Sequence, residues 1–144
     1  MKPLWKSIWW RPTIGLFLVC AFVAVNGQAQ PGSGTRYEKY VGKYPSELLR
    51  REPALKARLR TLLGKSYKTF TDRLQVETPI ERDGDAIVIR GCMAHQCTIE
   101  EAILVIDLTD GKPYVALRMN RAFSKTFPGI RSKLPDALKR AMEQ

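Results

Sequence analysis

The spacing of apolar residues changes at Gln75. Before it, apolar side chains recur at three- and four-residue intervals, the spacing that lines one face of a helix. The pattern predicts a short helical turn over 46–51. A second helix is predicted over 54–63, opened by Pro53 and stopped by Gly64, with Leu55, Leu59, Leu62 and Leu63 on one stripe. A further helix is predicted over 66–74, with Tyr67, Phe70 and Leu74 facing inward. After Gln75 the apolar residues gather in short β-branched runs. These predict strands over 76–80, 85–90, 101–108 and 114–119, with turn chemistry at 81–84 and an Asp110-Gly111 hairpin turn between the last two. Leu134, Leu138 and Met142 fall on one side of a closing helix over 135–142. Helices, then consecutive strands, then a helix predict an α+β fold: an antiparallel β-sheet meander flanked by helices.

The first 29 residues stand apart from that pattern. Lys2, Lys6 and Arg11 are followed by an uncharged apolar run over 13–25, then by small residues at Gly27-Gln28-Ala29. This is the layout of a cleavable secretory signal peptide, and the run is too short for a comfortable membrane span. The expected organisation is a signal peptide over 1–29, a flexible N-terminal segment over 30–44 and one domain over 45–144. A periplasmic location follows, with no stable membrane anchor. Cleavage after Ala29 removes Cys20 and all three tryptophans. It leaves two cysteines, Cys92 and Cys97, and one histidine, His95. An even cysteine pair in an oxidising compartment predicts a disulfide.

Charge is unevenly placed. The chain carries a net +10, but residues 30–71 sum to +7, 72–111 to −6 and 112–144 to +6. The basic segments suit anionic envelope surfaces, and secretion sets nucleic acid aside as a partner. The acidic middle suits a cationic partner. Glu77, Glu81, Asp83, Asp85, Glu100 and Glu101 are expected to surround the base of the cysteine loop.

The run Cys92-Met93-Ala94-His95-Gln96-Cys97 is the candidate site. Closed by a disulfide, it is a small ring that holds one imidazole in place at the end of a hairpin. Four readings stay open from the residues alone. Two thiolates and an imidazole are three-quarters of a zinc site, but no further His or Cys completes it. A hydrolase built on His95 lacks a nucleophile motif and an orienting partner. A recognition loop whose histidine enters a partner's cleft uses every feature present. A small disulfide that merely tidies a hairpin uses none of the chemistry. No catalytic residue, metal site or cofactor is predicted.

The same run, with the acidic pair Glu100-Glu101 and the strand after it, resembles the Ivy family, inhibitors of vertebrate lysozyme. The pieces Pro53-Ala54-Leu55-Lys56-Ala57-Arg58-Leu59, Leu62-Leu63-Gly64 and Asp110-Gly111-Lys112 resemble it too, so the likeness covers about residues 45–120. The resemblance implies a periplasmic, often homodimeric, non-enzymatic α+β protein. Its disulfide-closed loop protrudes and plugs the active-site cleft of C-type lysozyme. His95 is then the inserted residue, with Cys92 and Cys97 as its brace. Endogenous lytic transglycosylases, which also cleave glycan strands, are the alternative target. The usual loop has Lys, Pro and Asp where this chain has Met93, Ala94 and Gln96. Those changes are expected to remove a charge contact, soften the loop and remove an acid that could orient His95.

Overall fold

The computed structural model describes residues 34–129 and 133–144. The expected signal peptide lies outside the described residues. Four helices and six strands follow in the order α1 (Pro45–Arg51), α2 (Pro53–Leu63), α3 (Tyr67–Asp72), β1 (Val76–Glu77), β2 (Glu81–Asp83), β3 (Ala86–Cys92), β4 (Glu101–Asp107), β5 (Pro113–Met119), β6 (Ala122–Phe127) and α4 (Asp136–Glu143). The expected α+β class is what is observed, with every strand pair antiparallel.

Both α1 and α2 begin on proline, whose missing N–H costs nothing in a first turn. The predicted stripe on α2 buries Leu55, Leu59 and Leu63, while Leu62 is half-buried against the same core. Gly64 ends the helix at φ +50°, a conformation that glycine adopts without a Cβ penalty.

The sheet runs β1-β3-β4-β5-β6, and β2 shares with β1 the free side of β3. Its two faces divide the core. Ile87, Ile89, Leu104, Ile106, Val115 and Leu117 pack under α1, α2 and α3. Ala86, Val88, Ile103, Val105 and Ala116 pack against Leu134, Ala137, Leu138 and Ala141 of the α4 segment. A sheet covered on both faces has no polar alternation to show, which is why residues 102–106 read as an unbroken apolar run.

Four local expectations are corrected. The stretch 30–44, expected to be flexible, is anchored in the core by Tyr37 and Tyr40, while residues 41–44 are exposed. Residues Thr35–Tyr40 form a 3-10 helix, with Tyr37 and Tyr40 0% and 2% exposed. Two tyrosines bury enough apolar area to hold so short a segment. The strand expected over 76–80 stops at Glu77, because Pro79 has no N–H to give the ladder. The same edge resumes at Glu81, so residues 81–83 are strand and the turn is Gly84-Asp85, set by the register Asp83 to Ala86. Finally, β6 was not anticipated. It follows a two-residue turn in which Asn120 and Arg121 both take positive φ, +52° and +70°. The backbone suits a primed hairpin turn, but arginine stands where glycine usually gives the signal.

Candidate functional site

The two best-paired strands, β3 and β4, form a hairpin in full register from Ala86–Asp107 to Cys92–Glu101. Residues 93–100 connect them at one end. Cys92 and Cys97 are joined by the expected disulfide, with Cα atoms 4.7 Å apart. As a disulfide, the two sulfurs are not thiolate ligands. Cys92 is buried at the end of β3, Met93 and Ala94 are half-buried, and His95, Gln96 and Cys97 are exposed. The ring therefore has an inner wall and an outer tip, and His95 stands at the tip.

Main-chain bonds give the ring its shape. Gln96 N–H donates to Met93 O at 3.0 Å, making a tight turn with Ala94 and His95 in the middle. His95 occupies the third turn position at φ +64°, a left-handed conformation that costs an L-residue about 1 kcal/mol. Gln96 O then accepts from the N–H groups of Ile99 (2.9 Å) and Glu100 (2.8 Å), and Met93 N–H donates to Glu100 O at 3.0 Å, closing the base. Gln96 thus serves the loop through its main chain. Ala94 N–H donates to Gln75 Oε1 at 3.3 Å. A proline at that position has no such donor, so the softening expected from its absence is offset by a bond that only a non-proline residue can make.

Three further features support the loop, none of them singled out by the sequence. Gly91 lies where β3 crosses the end of α3. A Cβ on it would come within 2.7 Å of Leu74 Cδ2 and 2.8 Å of Arg73 O. Arg73 is 4% exposed, and its guanidinium donates to Thr69 O (3.0 Å), to Arg118 O (3.2 Å) and to the Glu100 carboxylate. Burial pulls the Arg73 pKa below the ordinary arginine value, against the opposing pull of Asp72. The β5–β6 turn braces the other side: Asn120 N–H donates to Glu100 Oε1 at 3.3 Å and Arg121 N–H to Ile99 O at 3.2 Å. Arg73 is one polar residue in a mostly polar stretch. Two of its three partners lie 27 and 45 residues away, so only the tertiary fold reveals its role.

The expected acidic collar is corrected. Asp83 and Asp85 sit at the opposite end of β3 from Cys92, about 20 Å away at ~3.3 Å per strand residue. Glu81 pairs with Val88 and lines the same groove as Cys92 and Cys97. Glu77, Glu100 and Glu101 lie at the loop end itself, and each has a partner. Glu77 accepts from Ser46 Oγ at 2.8 Å, Glu100 pairs with Arg73, and Glu101 lies between Arg90 (3.4 Å) and Arg118 (3.3 Å). Acids that are close in sequence are dispersed by the alternation and direction of the strands.

A braced, exposed histidine on a hairpin tip can enter a cleft and bond to acceptors there without losing much freedom on binding. No curated protein and no solved structure matches this chain. A family model described as inhibitor of vertebrate lysozyme (Ivy) does match, over residues 54–144, which hold every strand and the whole loop. With more than half of its length under that match, the chain belongs to the Ivy family of vertebrate lysozyme inhibitors.

Proposed function

We propose that this protein acts in the periplasm as an inhibitor of C-type lysozyme, inserting His95 into the active-site cleft from the disulfide-closed loop. The observation that carries this reading is the placement of His95. It is exposed at the turn of a ring that a disulfide ties to the end of β3 and that four main-chain bonds within the loop hold in shape. A lysozyme cleft presents two carboxyl groups, one protonated and one ionised. An imidazole between them donates to one and is held by both, through charge-assisted bonds in a site emptied of water.

The test is a peptidoglycan lysis assay with C-type lysozyme and purified protein. Wild type is expected to slow lysis at micromolar excess. His95→Ala is expected to raise the half-inhibitory concentration at least about tenfold, equivalent to ~1.4 kcal/mol. Undiminished lysis with wild type sinks the lysozyme-directed reading. Equal inhibition by both proteins retires the plug and keeps the inhibitor.

One observation favours a second target. Glu100 and Glu101 at the loop end are already paired with arginines, which leaves Glu77, bonded to a neutral hydroxyl, as the main negative charge there for a basic lysozyme. A less basic glycan-cleaving enzyme, such as an endogenous lytic transglycosylase, fits this surface with less repulsion. Its recovery from envelope extract, with no affinity for lysozyme, would decide for it.

A further inference from the structure

The disulfide closes only the amino-terminal side of the loop, through Cys92 and Cys97. Residues 98–100 return to the sheet outside that ring and are held by a different device. Arg73 is buried at the loop base and donates to three acceptors on separate parts of the fold. These are Thr69 O on α3, Arg118 O on β5 and the Glu100 carboxylate. The second carboxylate oxygen of Glu100 accepts the Asn120 N–H from the β5–β6 turn. Glu100 also uses both of its main-chain groups on the loop, accepting from Met93 N–H and donating to Gln96 O. Met93 and Gln96 are the two ends of the turn that carries His95. A displacement of Glu100 therefore moves both ends of that turn.

We propose that the pair of buried Arg73 and half-buried Glu100 is the positioning device for His95, fixing where the imidazole stands relative to the sheet, with the disulfide as a secondary brace. This deepens the inhibitor reading and rests on it for its functional consequence. A buried ion pair seldom stabilises a fold more than apolar side chains of the same volume would. What this pair supplies is direction: a planar guanidinium meets its acceptors in one geometry, and here those acceptors belong to a helix, a strand and the loop. The arrangement leaves His95 free of the clamp while fixing the residues on either side of it.

His95 is the chain's only histidine, so its ring signals report the loop without assignment ambiguity. The experiment uses Glu100→Gln, Arg73→Lys and the double variant Cys92→Ser/Cys97→Ser. The readouts are the NMR signals of the His95 ring, amide hydrogen exchange and the inhibition constant against lysozyme. In Glu100→Gln the exchange of the Gln96 and Glu100 amides is expected to rise at least about tenfold, the size expected for a lost charge-assisted bond. The His95 ring signals should shift or split, and the inhibition constant should rise by a similar factor. Exchange at Leu104 and Val105, in the centre of β4, should stay at its wild-type value. Arg73→Lys, which keeps the charge but replaces the planar guanidinium fork with a compact ammonium that cannot span the three acceptors, should fall between Glu100→Gln and wild type. The cysteine double variant should disturb the Gln96 and Glu100 amides less than Glu100→Gln does.

Unchanged loop exchange in Glu100→Gln overturns the proposal, and so does a loosened loop with unchanged inhibition. Equal loss of protection at Leu104 and Val105 overturns it too, because the pair would then serve only global stability. If Glu100→Gln does not fold, Arg73→Lys and Glu100→Asp carry the same readouts. If wild type inhibits no lysozyme, the inhibitor reading fails alone, and the exchange and ring signals still decide whether the pair positions His95.

Discussion

Two residues of the loop hairpin carry conformations that their neighbours impose, and each allows a sharp test. His95 sits at φ +64°, where glycine is the comfortable residue. His95→Gly relieves that strain but gives the unfolded chain more freedom, and the two effects roughly cancel. Its unfolding free energy from urea denaturation is therefore expected to lie within ~0.5 kcal/mol of wild type, while inhibition of lysozyme is lost. Such a result would separate the contribution of the imidazole from that of the loop fold. Gly91 is the opposite case. Its φ is unremarkable, but there is no room for a methyl group between β3 and the end of α3. Gly91→Ala is expected to cost about 1–3 kcal/mol in urea unfolding, because backbone atoms of Arg73 and Leu74 must shift. The same shift displaces the Arg73 clamp, so weaker inhibition should accompany the loss of stability.

At the scale of elements, the loop and its hairpin separate two kinds of stability. The ring closed by Cys92 and Cys97 is short, with a sequence separation of 5. Chain-entropy reasoning gives its disulfide about 2 kcal/mol. Replacing both cysteines with serine is expected to lower unfolding stability by no more than about 2 kcal/mol, and the sheet to remain intact by circular dichroism. A loss much above that would mean the disulfide supports packing beyond the ring. Helix α4 is a different matter. Leu138 is fully buried between the helix and the sheet, in a cluster with Val88, Ile103 and Val105. Leu138→Ala is expected to cost about 2–5 kcal/mol by chemical denaturation, while leaving the His95 ring signals unshifted. The Arg73 clamp lies on the other face, and α4 meets the loop base only at its C-terminal end, where Arg90 donates to Ala141 O (2.9 Å) and Gln144 Oε1 (2.7 Å) and pairs with Glu101, so a change in the ring signals would show coupling through that bridge or through the sheet.

Across the whole molecule, the hydrophobic pattern alone determined the class of the fold, because a 3.6-residue period and a two-residue period bury different faces. It placed α2 and the long strands to within a residue or two. The cysteine spacing and the single histidine also located the loop, since a ring that small can only close locally. Other features are settled by contacts between residues far apart in the chain. Tyr37 and Tyr40 sit in a stretch that reads as flexible, yet their rings complete the core under α1 and α2. β6 has a weak apolar pattern: only Phe123, Thr126 and Phe127 of its six residues are half-buried or buried, Phe123 against the α4 cluster and Phe127 against the core under α1 to α3. The acidic run 72–111 reads as a single patch. Strand direction sends Asp83 and Asp85 to one end and Glu100 and Glu101 to the other, where Arg73, Arg90 and Arg118 meet them. The sequence by itself determined which residues form the loop and that a histidine is carried on it, because those are local facts of spacing and redox chemistry. Only the tertiary structure decided what the loop packs against: a buried guanidinium just past the end of α3, a glycine that lets the chain after that helix lie close to β3, and a turn between two later strands, brought together by contacts between residues far apart in the chain.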